Sequence, residues 1–295
     1  MARHCSPRRA IRGMALLALA CTGCGHDEEY RHNFDLPQDL RALRIRMQSG
    51  EVAVAGHSTS RQLTVAGRVR RAASSTADQA RLDALPFELV LRPTESAGTY
   101  ELRTPALPEG VDRSRSALVF RAYVSLPDDI AVDVEVESGN LSVQELKATV
   151  RLHTGRGELS IAKVEGDAEL VTGDGKVYVQ DHRGGLSAES GDPTRTHLTG
   201  EAIWAKVLAI GASGIRLRSN GTSIALFLPS DAHFDLDAEV GTSQTGKLGI
   251  RTGFGVPVHE KGEGHVATGP VGGGGPPVVL RLVRGWLSVG RISDL

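Results

Sequence analysis

Three consecutive blocks of eighteen residues set the strongest limit on how this chain can fold. Residues 126–143 read LPDDIAVDVEVESGNLSV, 144–161 read QELKATVRLHTGRGELSI, and 162–179 read AKVEGDAELVTGDGKVYV. Written one above another, they put Gly139, Gly157 and Gly175 in one column, Leu141, Leu159 and Val177 in a second, and Val143, Ile161 and Val179 in a third. Upstream, Val132 and Val134 align with Val150 and Leu152, then with Ala168 and Leu170. Alternation at period two turns every second side chain to one face, and glycine supplies backbone angles that residues with a Cβ resist. Eighteen residues suffice for two strands of about six residues and two corners of about three. Such a unit cannot bury its apolar face alone. Stacking equivalent strands about 4.8 Å apart satisfies the backbone ladder and aligns the buried columns. The expected fold is therefore all-β, a parallel β-solenoid of the β-helix kind with about eighteen residues per coil. The alternative is an antiparallel β-sandwich, because strand, glycine turn and strand describe that as well.

The flanks fit the same plan. After an irregular block from Gln180 to Gly200, interrupted by Pro193, the pattern resumes in EAIWAKVLAIGASGIRLR, 201–218, with Gly214 in the corner column and the last strand slipped by one residue. Strands are expected around Ser49-Gly50 and across FELVLRPTESAGTYELRT, and a final pair around Arg284-Gly285. Between them SSTADQARLDALP predicts one short helix, capped near Ser75 or Thr76 and stopped before Pro86. FLPSDAHFDLDAEVG, 227–241, echoes SLPDDIAVDVEVESG, 125–139. A chain of 295 residues exceeds the usual single-domain size. Repeat folds escape that limit, since each unit buries its face on its neighbour, so residues 40–295 are expected to form one long domain.

The beginning of the chain reads as an address. Residues 1–24, MARHCSPRRAIRGMALLALACTGC, carry four arginines, then an apolar run, then small residues and cysteine. That is the layout of an export signal, and it is too short to span a bilayer. All three cysteines, Cys5, Cys21 and Cys24, fall within it, so the remainder has no disulfide framework and no thiolate metal site. An apolar run ending in small residues and Cys resembles the lipobox of bacterial lipoproteins, whose cysteine is acylated and becomes the first mature residue. Two registers compete: Cys24 after Thr22-Gly23, which is preferred, and Cys21 after Ala18-Leu19-Ala20. Gly25 lacks the acidic side chain that the resemblance associates with inner-membrane retention, which favours the outer membrane. Residues 25–39, opening GHDEEYRHN, are expected to be a polar tether, with His26, Asp27, Glu28 and His32 solvated rather than gathered on a metal.

Charge and composition exclude some functions. Lys plus Arg total 34 and Asp plus Glu 35, so no net field attracts phosphate backbones and nucleic acid is not an expected partner. Aromatic residues are only 4%, which leaves few flat faces on which sugars or bases could stack. GTSQTGKL spaces Gly241, Gly246 and Lys247 as a phosphate-cradling loop does, but Leu248 replaces the hydroxyl that holds magnesium and no helix follows. His259, Glu260, Glu263 and His265 in HEKGEGH lack the one-turn helical spacing of a zinc protease. Asp133, Glu135 and Glu137 share one strand face, as do Asp235, Asp237 and Glu239. Solvated strands carry such rows, and polysaccharide-cleaving β-helices use them too. No catalytic residues, metal site or cofactor are expected.

SGNLSV, GRGELSI and GDGKVYV, with the preceding LPDDIAVDVEVESG and the late glycine-rich loop, resemble the putative-adhesin family of β-strand-repeat domains of unknown function, common in bacterial envelope proteins. The resemblance covers residues 40–292 and departs from the pattern between Gln180 and Gly200. It implies an exported envelope protein that acts as a non-enzymatic adhesin-like or structural surface, held to the membrane by its lipid and facing envelope proteins or surface polysaccharide. It carries no catalytic residues to transfer. The alternative function is a carbohydrate-acting β-helix enzyme using the carboxylate rows.

Overall fold

A computed structural model describes residues 27–57, 61–73, 75–105, 107–112, 116–191, 202–242 and 249–295. The expected acylation signal with Cys21 and Cys24, Pro193, and Gly246 to Leu248 lie outside them. Within them the chain is all-β, with one mixed sheet of twenty strands and one α-helix. The first strands are β1 (Asp27–Asp35), β2 (Ala42–His57) and β3 (Gln62–Ala73), followed by helix α1 (Thr76–Asp83). Then come β4 (Val90–Pro93), β5 (Thr99–Arg103), β6 (Ser116–Pro127), β7 (Ala131–Ser138), β8 (Leu141–Gln144), β9 (Val150–Arg156) and β10 (Leu159–Ala162). The middle continues with β11 (Ala168–Thr172), β12 (Val177–Ser190), β13 (Ile203–Ser219), β14 (Ser223–Leu228) and β15 (Phe234–Thr242). The last five are β16 (Ile250–Thr252), β17 (Val258–Lys261), β18 (Gly264–Val271), β19 (Pro277–Arg284) and β20 (Trp286–Arg291).

The eighteen-residue spacing is present as a strand register. Leu159 pairs in parallel with Leu141 on one side and Val177 on the other, while Leu152 pairs with Val134 and Leu170. Two parallel ladders result. One runs β6, β2, β8, β10, β12, β13, β14, β20, β16, and the other runs β2, β7, β9, β11, β12, β13, β19, β15. Strands β2, β12 and β13 are long because each turns a corner and serves both ladders. The inward rows, such as Val54, Val143, Ile161 and Val179 in the first ladder and Ile45, Val134, Leu152 and Leu170 in the second, join one hydrophobic cluster. A short third column, Leu146, Val164 and His182, is also fully buried, and Glu165 bridges Arg183 beside it. The coil is therefore not two equal strands and two corners. It is a longer strand, a glycine corner, a four-residue strand and a short linking column.

The corner explains the glycines. Gly139, Gly157 and Gly175 have φ of +152°, +140° and +158°, and each rests on the backbone one layer below. A Cβ on Gly139 would lie 1.5 Å from the Gly50 carbonyl oxygen, one on Gly157 would lie 2.1 Å from that of Gly139, and one on Gly175 would lie 2.0 Å from that of Gly157. A hydroxyl column seals the same corner: Thr154, Thr172 and Ser190 donate to the carbonyls of Gly139, Gly157 and Gly175 at 3.1, 2.9 and 2.7 Å. Those carbonyls would otherwise stand unpaired in the interior. On the far side of the four-residue strand, Glu145, Lys163 and Asp181 all take left-handed angles, at φ of +59°, +53° and +55°.

Four expectations need correction. Asp27–Asp35 is not tether but β1, antiparallel to β3, because Tyr30 is buried against Phe87, with ring centroids 4.6 Å apart, and Glu28 and Glu29 pair with Arg71 and Arg68. The irregular block starts later than Gln180, since β12 runs to Ser190 in the same register. Gly214 does not join the corner column: it precedes Ile215, which pairs with Leu186, and its added Cβ would meet the Pro277 carbonyl. The inserted residues between β12 and β13 shift the phase, so Ile203 rather than Ile215 continues the Val177 row. Gly285 holds the corner place instead, two residues before Leu287 and against Thr222. Finally, the sheet is mixed, since antiparallel pairs join β1, β3 and β6, β4 and β5, and β15, β18 and β17. The helix is where the sequence puts it, with Ser75 accepting from the Asp78 amide at its N-cap and α1 packed beside β3.

The corner predicts a graded cost. Gly157→Ala should lose about 3 kcal/mol or more, combining a disfavoured φ with backbone collision. Gly255→Ala, at φ +74° with no atom in reach of the new methyl, should lose about 1 kcal/mol. Thr172→Val should cost about 1–3 kcal/mol by orphaning a buried carbonyl, and Thr172→Ser much less. Urea denaturation midpoints at constant m-value give the comparison.

Candidate functional site

The two ladders present different outer surfaces. On the second ladder one outward row crosses Glu101, Arg44, Asp133, Arg151 and Glu169, alternating in sign from strand to strand. Arg44 meets Asp133 at 3.0 Å and Arg151 meets Glu169 at 3.4 Å, while in the next row Arg46 meets Glu135 at 3.2 Å. The later carboxylate row is likewise taken: Asp237 pairs with Arg281, and Glu239 with Lys261 at 2.8 Å. The sequence brought these acids to one face, as expected, but adjacent strands bring a guanidinium or ammonium to four of the six. Each of these four carboxylates is thus turned toward a cation on a neighbouring strand. Glu137 and Asp235 are outside these ion pairs and stand on different strands, β7 and β15.

HEKGEGH forms the β17–β18 hairpin, with Glu260 opposite His265. Among the described residues no three His, Cys, Asp or Glu side chains converge as a metal site would require. Asp27, Glu28 and His32 lie along β1, where the His32 ring stacks on Phe34 at 6.2 Å. Of the named glycines, Gly139, Gly157 and Gly175 are packed corners with no open space beside them.

The first ladder is different, and sequence reasoning missed it. Its central outward row starts at Tyr123 and passes Ala53, Ser142 and Ser160 to Tyr178. It continues through Trp204, Ala225 and Ser288, and meets its first charge at Arg251 on the last strand. Tyr123 is 63% exposed, Tyr178 38% and Trp286, on the same side of β20, 52%. Trp204 and Phe227 lie against each other with centroids 5.8 Å apart. Both tryptophans of the chain and two of its four tyrosines thus stand on one wall. Ala53, Ser142 and Ser160 floor a groove of about 330 Å³ beside Tyr123. The missed signal was local: Ser142, Ser160 and Tyr178 occupy one outward column of the eighteen-residue repeat, and counting aromatics over the whole chain hides where they fall.

Among the described residues, His182 is a fully buried titratable group. His182 takes the place that Leu146 and Val164 fill in earlier layers, with Nε2 3.0 Å from the Gly185 carbonyl oxygen. Burial pushes its pKa below the ordinary 6.5, against smaller upward contributions from the Gly185 and Val164 backbone and from Asp167. The folded imidazole therefore stays neutral where an unfolded one would bind a proton. Stability from this group is present above pH 6.5 and is lost as pH falls below it, by up to about 1.4 kcal/mol per pH unit. His182→Leu, which restores the aliphatic column, should flatten the decline in urea midpoint between pH 7.5 and 5 relative to wild type. An unchanged decline would show that the acid sensitivity lies elsewhere.

No protein-family model matches the chain, and no curated protein matches it. Among solved structures it is similar to a putative cell adhesion protein from Clostridium sporogenes, at 11% identity and a TM-score of 0.31, over 90% of this chain and 99% of that one. It is similar also to a putative adhesin from Bacteroides fragilis, at 11% identity and 0.26, over 90% and 97% of the two chains. A third, a putative adhesin from Parabacteroides distasonis, has 10% identity and 0.26, over 90% and 97%. Likenesses of this size carry no argument about function. No helix among the described residues is long and apolar enough to cross a membrane.

Proposed function

We propose that the chain is a lipid-anchored protein of the bacterial cell envelope, acylated at Cys24 with Cys21 as the alternative, whose stacked coils form a parallel β-solenoid serving as a non-enzymatic adhesin-like or structural binding surface. The observation that carries this reading is the combination of an eighteen-residue parallel register with outward rows in which ionisable groups face one another across strands. A surface built this way is rigid, because every outward side chain stands on a hydrogen-bonded ladder over a closed core. It is suited to contact rather than to proton transfer. The apolar run before Cys24 and the polar residues after it support export and attachment by lipid. In this reading residues 1–23 are removed and the acylated Cys24 becomes the first mature residue, the outer membrane is the destination, and envelope proteins or surface polysaccharide are the partners.

Metabolic labelling with palmitate tests the anchor. Label should appear on the wild-type chain and fall to background in Cys24→Ser, or in Cys21→Ser if that register is used. Label retained in the double variant would overturn lipid attachment. Incubation with a panel of polysaccharides, with and without calcium, tests the second half. No new reducing or unsaturated ends are expected, and their formation would favour the β-helix enzyme acting through its carboxylate rows.

A further inference from the structure

We propose that the uncharged aromatic wall of the first ladder is a binding site for a neutral polysaccharide chain, laid across the strands from Tyr123 toward Trp204. This deepens the binding-surface reading above and rests on it. Three properties of the wall point to such a ligand, and each is independent of the others.

The first is the placement of the rings. Tyr123 and Tyr178 share one outward row but stand on β6 and β12, four strand spacings apart, which is about 19 Å. Trp204 follows on the next strand. Exposed aromatic side chains are costly in water, and a set of them on one face marks a contact surface. Sugars offer apolar C–H faces that lie flat on such rings, while their hydroxyls stay at the edges.

The second is the floor between the rings. Ala53, Ser142 and Ser160 are short, so a bound chain can sit down between Tyr123 and Tyr178 rather than ride over bulky side chains. Ser142 and Ser160 offer hydroxyls, and Gln144 and Gln180 stand two residues beyond Ser142 and Tyr178, outward on the same wall. These groups donate and accept equally, which suits sugar hydroxyls and gives no preference for an anion or a cation.

The third is charge. The row carries no ionised side chain from Tyr123 to Ser288. Charges stand only along its borders, where Arg121 meets Glu51 at 3.4 Å, Lys206 meets Asp181 at 2.7 Å, and Glu158 lines the edge of the groove. An anionic polymer would find no field to meet it here, and the alternating wall of the second ladder would repel as much as it attracted. A neutral chain fits what is present.

The test uses the purified protein in native gels cast with a neutral β-glucan, a mannan or a galactan, and with alginate as the anionic comparison. At least one neutral polymer should retard the protein and should saturably shift its tryptophan emission, which comes from Trp204 and Trp286 on this wall. Tyr123→Ala and Tyr178→Ala should each weaken the association about five- to tenfold, and Tyr178→Phe should retain it. Both tyrosines are exposed, so unchanged urea midpoints keep the comparison free of unfolding. Glu169→Gln on the other wall should bind as wild type. Retardation by alginate alone, or by none of the polymers, overturns the inference, as does binding that both tyrosine→Ala variants leave intact. If envelope proteins can still be cross-linked to the chain while no polymer binds it, the anchored binding-surface reading survives and only the polysaccharide assignment fails.

Discussion

The structure depends on one close approach, the seating of each corner glycine on the carbonyl of the glycine a layer below. Gly139 on Gly50, Gly157 on Gly139 and Gly175 on Gly157 leave no room for a side-chain carbon. That contact sets the rise between layers at the strand spacing, and a fixed rise is what lets the Leu141, Leu159 and Val177 row stay in register. The buried hydroxyls of Thr154, Thr172 and Ser190 follow from it, since packing backbone on backbone leaves carbonyls inside that need a donor. Side chains elsewhere in the core fill the space this scaffold defines.

Stacking has a second consequence on the outside. In a parallel ladder, equivalent residues of neighbouring strands lie side by side, so like charges at one repeat position would repel down the whole column. The chain meets this by alternating sign: Arg44, Asp133, Arg151 and Glu169 in one row, and Glu145 with Lys163 at 2.9 Å along the left-handed corner. On the first ladder it instead removes charge and places small, hydroxylic and aromatic residues. One wall thus carries ion pairs across its strands, and the other has its aromatic rings facing solvent.

Much of this was legible in the repeat. The corner glycines, the alternating apolar rows and the capped helix after Ser75 could be read because each depends on local backbone preference or on period-two alternation. Two of the corrected readings failed for a distant cause. The polar stretch from Asp27 became a strand because Tyr30 packs on Phe87, which in turn packs on Phe120, and neither is close to it in sequence. Gly214 left its column because the phase of the repeat shifts across an insertion, which a fixed eighteen-residue frame cannot follow. The ion pairs along the carboxylate rows could not be read either, because their partners come from strands 22 to 89 residues away.

By itself the sequence determined the layer: its length, its corner and which side chains point inward, all of which are set by neighbours along the chain. Only the tertiary structure decided which outward residues become neighbours across strands. Tyr123, Ser142, Tyr178 and Trp204 share a row although up to 81 positions separate them. The physical reason is that a stacked sheet converts sequence separation into strand order, and β2 pairs with β6 and β8 at once, so residues far apart in the chain come to lie along one line.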